Sequence, residues 1–251
     1  MLRPLGVLFL FLIASCSVLN EDLNDQLTAS TNQYKQLEVS GEYLVDTMSG
    51  FNKNHEYVRK TQIISPVNKS KVYEKTIVIS KRRKISNALF FLVPIKYEST
   101  FYLNNDVYTV SGQVDLKRRK ILYNLNSPEY KWLGQREYDV PQGVKAICFY
   151  SSIIECAKVS GFIKKAIEKK NGDMNFHILW ESFPYFQEQY LNIPKEILSE
   201  ARLSFDEFDK KGNYRFLLAA GGQEQVYILN KNLDVVGHYW ASQGLSKELV
   251  K

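Results

Sequence analysis

TFYLNNDVYTVSGQV, residues 100–114, is the stretch that decides the fold. Two short runs rich in aromatic and β-branched residues, 100–103 and 107–114, flank Asn104-Asn105-Asp106, whose side chains bond their own backbone and tolerate a left-handed turn. The stretch reads as an antiparallel hairpin. The pattern continues upstream, where a strand at 56–64 leads through Ser65-Pro66-Val67-Asn68-Lys69 into 72–80, and there Tyr73, Ile77 and Ile79 alternate with polar neighbours. Residues 88–93 form the most apolar run beyond the N-terminal segment. Pro94 lacks an amide donor, which marks that run as an edge strand or the shoulder of a loop. Downstream, 121–125, 132–138 and 144–149 extend the meander.

A helix is predicted over 152–171. Ser152 and Glu155 have capping-box spacing, Val159, Phe162, Ile163, Ala166 and Ile167 make an apolar stripe, and Lys169, Lys170 and Gly172 suit its end. Gly161 is its weak point, costing about 1 kcal/mol relative to Ala. Strands return at 175–180, 201–208, 214–219, 225–229 and 235–240, joined by Lys210-Lys211-Gly212, Gly221-Gly222 and Asn230-Lys231-Asn232. Connections this short make consecutive strands antiparallel neighbours. The expected fold is mainly β (α+β): antiparallel β-meanders at 37–150 and 173–245 within one domain, 37–251, shaped as a half-barrel or sandwich with one interrupting amphipathic helix.

The segment ahead of this domain sets the compartment. Residues 1–16, MLRPLGVLFLFLIASC, hold Arg3, an apolar run and then small residues, which reads as an export signal. The run is shorter than the roughly 20 residues that a spanning helix needs. Ile13-Ala14-Ser15-Cys16 resembles the lipobox of bacterial lipoproteins. That resemblance covers the signal alone and implies removal of residues 1–15, a lipidated Cys16 and stable anchoring through its acyl chains. An ordinary secretory signal is the alternative. Ser17, where enteric lipoproteins kept in the inner membrane carry Asp, implies the outer membrane, facing the periplasm. Residues 16–36 are polar, with Leu19, Leu23 and Leu27 at helical spacing, and read as a tether reaching up to about 65–70 Å if extended.

Charge is unevenly placed along the chain. Residues 17–52 carry Lys35 against six acids, residues 53–120 carry fifteen Lys/Arg against five acids, and the remainder is balanced. For an exported chain the basic block suggests anionic lipid, an acidic glycan or an envelope protein as partner, and no nucleic acid. Within it the string KRRKI occurs twice, as Lys81-Arg82-Arg83-Lys84 and Lys117-Arg118-Arg119-Lys120, each followed by Ile. Each tetrad is expected to top a hairpin, where it either meets an anionic surface or keeps the turn soluble and the strand edge unpaired.

Three further features bear on chemistry. With Cys16 taken by lipid, Cys148 and Cys156 remain and can pair in an oxidising compartment if a turn separates them. Phe176, His177, Trp180, Phe183, Tyr185, Phe186 and Tyr190 cluster; Phe176, Trp180, Phe183, Tyr185, Phe186 and Tyr190 are candidate ligand contacts if exposed and core if not. Motifs for nucleophilic, phosphate-binding or metal chemistry are absent, and the scattered His55, His177 and His238 imply neither metal nor cofactor. The reading that results is a non-enzymatic, membrane-anchored binding or assembly module. The alternatives are a hydrolase using carboxylates such as Asp206, Glu207 and Asp209, or a purely structural envelope lipoprotein.

Overall fold

The computed structural model describes residues 29–86, 89–189 and 195–250. The export signal, Cys16 and Tyr190 lie outside them. Strands β1 (Ser30–Glu38), β2 (Gly41–Phe51), β3 (Glu56–Ile64), β4 (Val72–Ser86), β5 (Leu89–Leu103), β6 (Asp106–Asp115), β7 (Lys120–Asn126) and β8 (Gly134–Asp139) make the first meander. The second runs through β9 (Ile147–Phe149), β10 (Asp173–Leu179), β11 (Leu198–Phe208), β12 (Tyr214–Ala220), β13 (Gln223–Leu229), β14 (Val235–Trp240) and β15 (Leu245–Leu249). β1 pairs antiparallel with β15, so both meanders belong to one sheet of order β8-β7-β6-β5-β4-β3-β2-β1-β15-β14-β13-β12-β11-β10-β9. The mainly β class and the meander order are as expected.

β1 corrects one boundary. Residues 30–36 are not tether: Tyr34 and Gln36 are buried, and the strand is paired along both edges. A buried glutamine hid the alternation. Pro94 lies inside the long β5 beside a bulge, where Ile79 pairs with Lys96 and Ser80 with Pro94; the ladder to β6 begins only at Lys96, so β5 is paired at Pro94 with β4 alone and the edge expected there is a local one. β4 turns the opposite way from expectation. Val78, Thr76 and Ser80 are buried while Ile77 is exposed, because Thr76 Oγ1 finds Glu74 and Ser99 at 2.9 Å inside the sheet. The expected 144–149 strand is only β9, and it pairs parallel to β10 across a helical crossover instead of extending the meander.

The sheet curls until β5–β7 cover the outer side of β9 and β10, which gives two cores. Cys148, Phe176 and Ile178 pack inward with Phe216, Leu218 and Trp240, while Ile147, Phe149 and Leu179 pack with Val110, Ile121 and Leu125. Strands covered on both faces have no polar side to present, so Ile147-Cys148-Phe149 is apolar throughout.

The inner core is filled by α1 (Ile153–Val159) and α2 (Phe162–Lys169), through Ile153, Ile154, Ala157, Val159, Ile163 and Ala166. The expected single helix is therefore two. Gly161 breaks it at φ +74°, a conformation favouring glycine, and Ser160 Oγ accepts the Phe162 amide there at 3.2 Å. No capping box forms, since Ser152 makes no side-chain cap bond and Glu155 turns to Arg59. A 3-10 turn at Tyr150–Ser152 reverses the chain and brings Cys148 and Cys156 within a Cα separation of 6.4 Å, where they form a disulfide.

Candidate functional site

The strand directions sort the loops into two ends. Ala29, the 52–55 turn, the last residues of β4, the 116–119 turn, segment 140–146 and the turns at 170–172, 209–213 and 230–234 all lie at one end. Nearly every one of these carries exposed Lys or Arg: Lys53, Lys84, Lys117, Lys145, Lys170, Lys210 and Lys231. The opposite end carries Glu38, Glu42, Asp106, Glu129, Glu196 and Glu224, with Lys69, Lys71, Lys131 and Lys195 among its cations. The domain is electrically polarised, and the segment bearing Cys16 joins it at the basic end.

The two tetrads share that end but not the expected geometry. Lys117-Arg118-Arg119 tops the β6–β7 hairpin as expected, whereas Lys81 to Lys84 lie within β4, paired with Val93, Leu92, Phe91 and Phe90. Their alternation around the pleat divides the cations. Arg82 lies over the Phe90 ring at 4.5 Å, and burial lowers its pKa. Arg119 donates to the carbonyls of Val140 and Pro141, and Lys120 pairs with Glu137 and Asp139. The exposed remainder is Lys81, Arg83, Lys84, Lys117 and Arg118. β4 and β7 are three strands apart, about 14 Å at about 4.8 Å per strand.

The aromatic cluster is core, which corrects the ligand-contact reading for its buried members. Phe176, Trp180 and Tyr185 are at most 5% exposed, and Phe183 and Phe186 are half-buried. Trp180 stacks on Tyr150 at 4.6 Å and on Phe186 at 5.7 Å, while Tyr185 meets Phe101, Tyr108 and Trp132 edge-on. Two cores needing large rings use up the cluster. The carboxylates considered for hydrolysis are engaged elsewhere: Asp206 and Glu207 share Arg215, and Asp209 accepts the Lys211 and Asn213 amides of its turn.

The sequence reading missed a polar chamber inside the curl. The inward faces of β1, β2, β3 and β13–β15 bring Tyr34, Thr47, Arg59, Tyr227, His238 and Lys247 against Tyr150, Ser151 and Glu155, around a cavity of about 60 Å³. Arg59 and Glu155 pair at 2.6 Å with side chains 17% and 14% exposed. Burial is the largest single influence on Arg59 and opposes its charge, but Glu155, Tyr57 and Tyr34 together outweigh it and hold the guanidinium firmly protonated. His238 is pulled down to about 3 by burial and Lys247, and it lies 2.8 Å from Gln225 Oε1, which also accepts from Tyr150 Oη. Lys247 is pulled down to about 8 by burial and by Arg59. Towards the acidic end burial raises Glu74 to about 7, and it also raises Glu181, whose carboxylate accepts the Tyr150 and Ser151 amides at 2.9 Å.

No family model and no curated protein matches the chain. Among solved structures it is similar to a β-barrel-like protein of the domain of unknown function DUF1849 from Brucella abortus, with a TM-score of 0.51 and 8% identity over 90% of this chain and 97% of that one. The likeness is one of fold. It extends along nearly all of both chains, so it concerns the fold as a whole.

The chamber had a weak signal in the sequence. Polar residues recur at alternate positions in Tyr34-Gln36, Thr47-Ser49, Tyr57-Arg59 and Gln225-Tyr227, which as a set are the inner faces of neighbouring strands. Read one strand at a time, each looks like a solvent face.

Proposed function

We propose that this chain is an exported, lipid-anchored and non-catalytic binding or assembly module of the cell envelope, held at Cys16 with its basic end against an anionic membrane surface. The observation that carries the reading is the shared end: the N-terminal segment enters the sheet where Lys81, Arg83, Lys84, Lys117 and Arg118 are exposed. Each cation near an anionic leaflet contributes about 1 kcal/mol, and the acids of the far end are repelled, so the field orients the domain as well as holding it. Because β1 begins at Ser30, the tether between Cys16 and the sheet reaches at most about 50 Å. That length permits contact, and the basic end then lies within the screening distance of about 8 Å at physiological salt. Lipid supplies the attachment. The cations set which face looks away from the membrane, leaving the acidic end for an envelope partner, with the outer membrane, periplasmic side, as the expected location.

The test has two arms. Mass spectrometry of the mature N-terminus should show an acylated Cys16, and Cys16→Ala should yield an unprocessed or soluble chain. For a Cys16→Ala chain, replacing Lys81, Arg83, Lys84, Lys117 and Arg118 by Gln should weaken binding to vesicles containing phosphatidylglycerol, as should raised salt. A free mature amine on soluble wild-type protein sinks the anchor, and equal vesicle binding by the charge-neutral variant sinks the orientation.

A further inference from the structure

We propose that the chamber behind β1, β2, β3 and β13–β15 is a binding site for a single carboxylate group. Such a site would stand whether or not the chain is anchored, because it follows from the charge balance of the cavity wall. Arg59, Glu155 and Lys247 are the charged groups lining the cavity, and Arg59 and Glu155 satisfy one another at 2.6 Å. Among the described residues no carboxylate comes within ion-pair distance of Lys247 Nζ, so one positive charge is left over on a side chain that water reaches only in part. A buried charge without a partner is costly, and a monoanion removes the deficit where a dianion would reverse it.

Hydrogen-bond supply points the same way. On the cavity wall Arg59 Nε is a buried donor and Ser151 Oγ a buried hydroxyl with no hydrogen-bond partner among the described residues, and behind the wall Gln225, whose Oε1 bonds Tyr150 and His238, has an unpartnered Nε2. The surplus is therefore in donors, and a group that only accepts suits it. Size agrees: a water needs roughly 10–15 Å³ of such volume, so about 60 Å³ holds a few waters or one small organic acid head. Lys247 itself is half-buried, which gives the chamber a way to solvent beside that side chain, at the acidic end. Glu74 and Glu38 are the acids that its charge feels from that side. Burial raises Glu74 to about 7, which weakens it as a counter-charge, and Glu38 is occupied with Gln36 and Ser40. A ligand longer than its carboxylate would extend outward past Lys247.

Sodium acetate is the probe. Calorimetric titration of the full chain in detergent, at matched ionic strength, should show one saturable acetate site, with chloride and phosphate weaker by about tenfold or more. That ratio is expected when one charge-assisted hydrogen bond is at stake. Lys247→Met should weaken acetate by about the same factor, while Lys210→Gln, an exposed lysine at the basic end, leaves it unchanged. A wild-type measurement guards against a misfolded variant: acetate should slow reductive methylation of Lys247, read by peptide mass spectrometry, and leave exposed Lys231 unaffected. Equal heats for acetate and chloride, or methylation of Lys247 indifferent to acetate, overturn the site, and water is then its only occupant.

Discussion

Removing Glu155 tests the interior most directly. Its carboxylate is the partner of Arg59, and both side chains are more than four-fifths out of water. Breaking a buried pair from one side costs about 3–5 kcal/mol, because the survivor keeps its charge without compensation. The residual exposure of 17% and 14% lets some water reach Arg59, so Glu155→Ala is expected near the lower figure, about 3 kcal/mol. For a chain of this size that lowers the melting midpoint by about 6–12 °C, readable by circular dichroism and by a shift in the urea midpoint at unchanged slope. The exposed pair Lys35–Glu42, with side chains 49% and 43% exposed, is the internal control, and Glu42→Ala should cost at most about 1 kcal/mol. Replacing both partners, Arg59→Met with Glu155→Leu, should be milder than Glu155→Ala alone, since it leaves no orphaned charge. The reasoning fails if Glu155→Ala and Glu42→Ala cost the same, or if the double replacement is the most damaging of the three.

Three other outcomes are expected. Cys148 and Cys156 are fully buried, so reductant should leave their bond intact until denaturant is added, and replacing both by Ala should cost about 2.5 kcal/mol in a urea titration. Gly112→Ala would place a Cβ 2.3–2.5 Å from ring atoms of Tyr97, its partner on β5, and should lower stability by about 1–3 kcal/mol in the same assay. Burial raises the folded pKa of Glu74 to about 7, above the unfolded value of about 4.3, so the unfolded chain releases this proton first as pH rises. Stability is therefore lost from about pH 4.3 up to about pH 7, and Glu74→Gln should stabilise the protein at pH 8 while changing little at pH 4.

Local chemistry was legible wherever one strand or turn decides it. The hairpin at Asn104 and Asn105, both with positive φ, β3 at Glu56–Ile64 and the Cys148–Cys156 turn follow from neighbouring residues alone. What was not legible depends on which face of a strand turns inward. Ile77 and Thr76 exchange their expected roles because Ser99, far along the chain, offers Thr76 a buried hydroxyl. Ile147 and Cys148 are adjacent in sequence yet enter different cores, a division created only when β5–β7 come to rest on β9. The chamber has the same origin. Arg59, Glu155 and Lys247 come from β3, α1 and β15, and no spacing rule links them. The basic tetrads were visible as composition, but the sharing of one end by the tetrads and the N-terminal segment follows only from the full strand order.

The seam between β1 and β15 has a consequence for how the chain folds. Every other ladder joins strands that follow one another along the sequence, so apart from the β9–β10 crossover each meander can zip up from local hairpins, while Tyr34 must find Leu249 across almost the whole polypeptide. Long-separation pairing is slow because chain entropy is lost before any contact repays it. Docking of the two halves along this seam is thus the expected late step. A circular permutant opened within segment 140–146, with its former termini joined by a linker, would turn the seam into one more local hairpin and make β9 and β8 the new first and last strands. Such a permutant should refold faster than the natural order at similar stability.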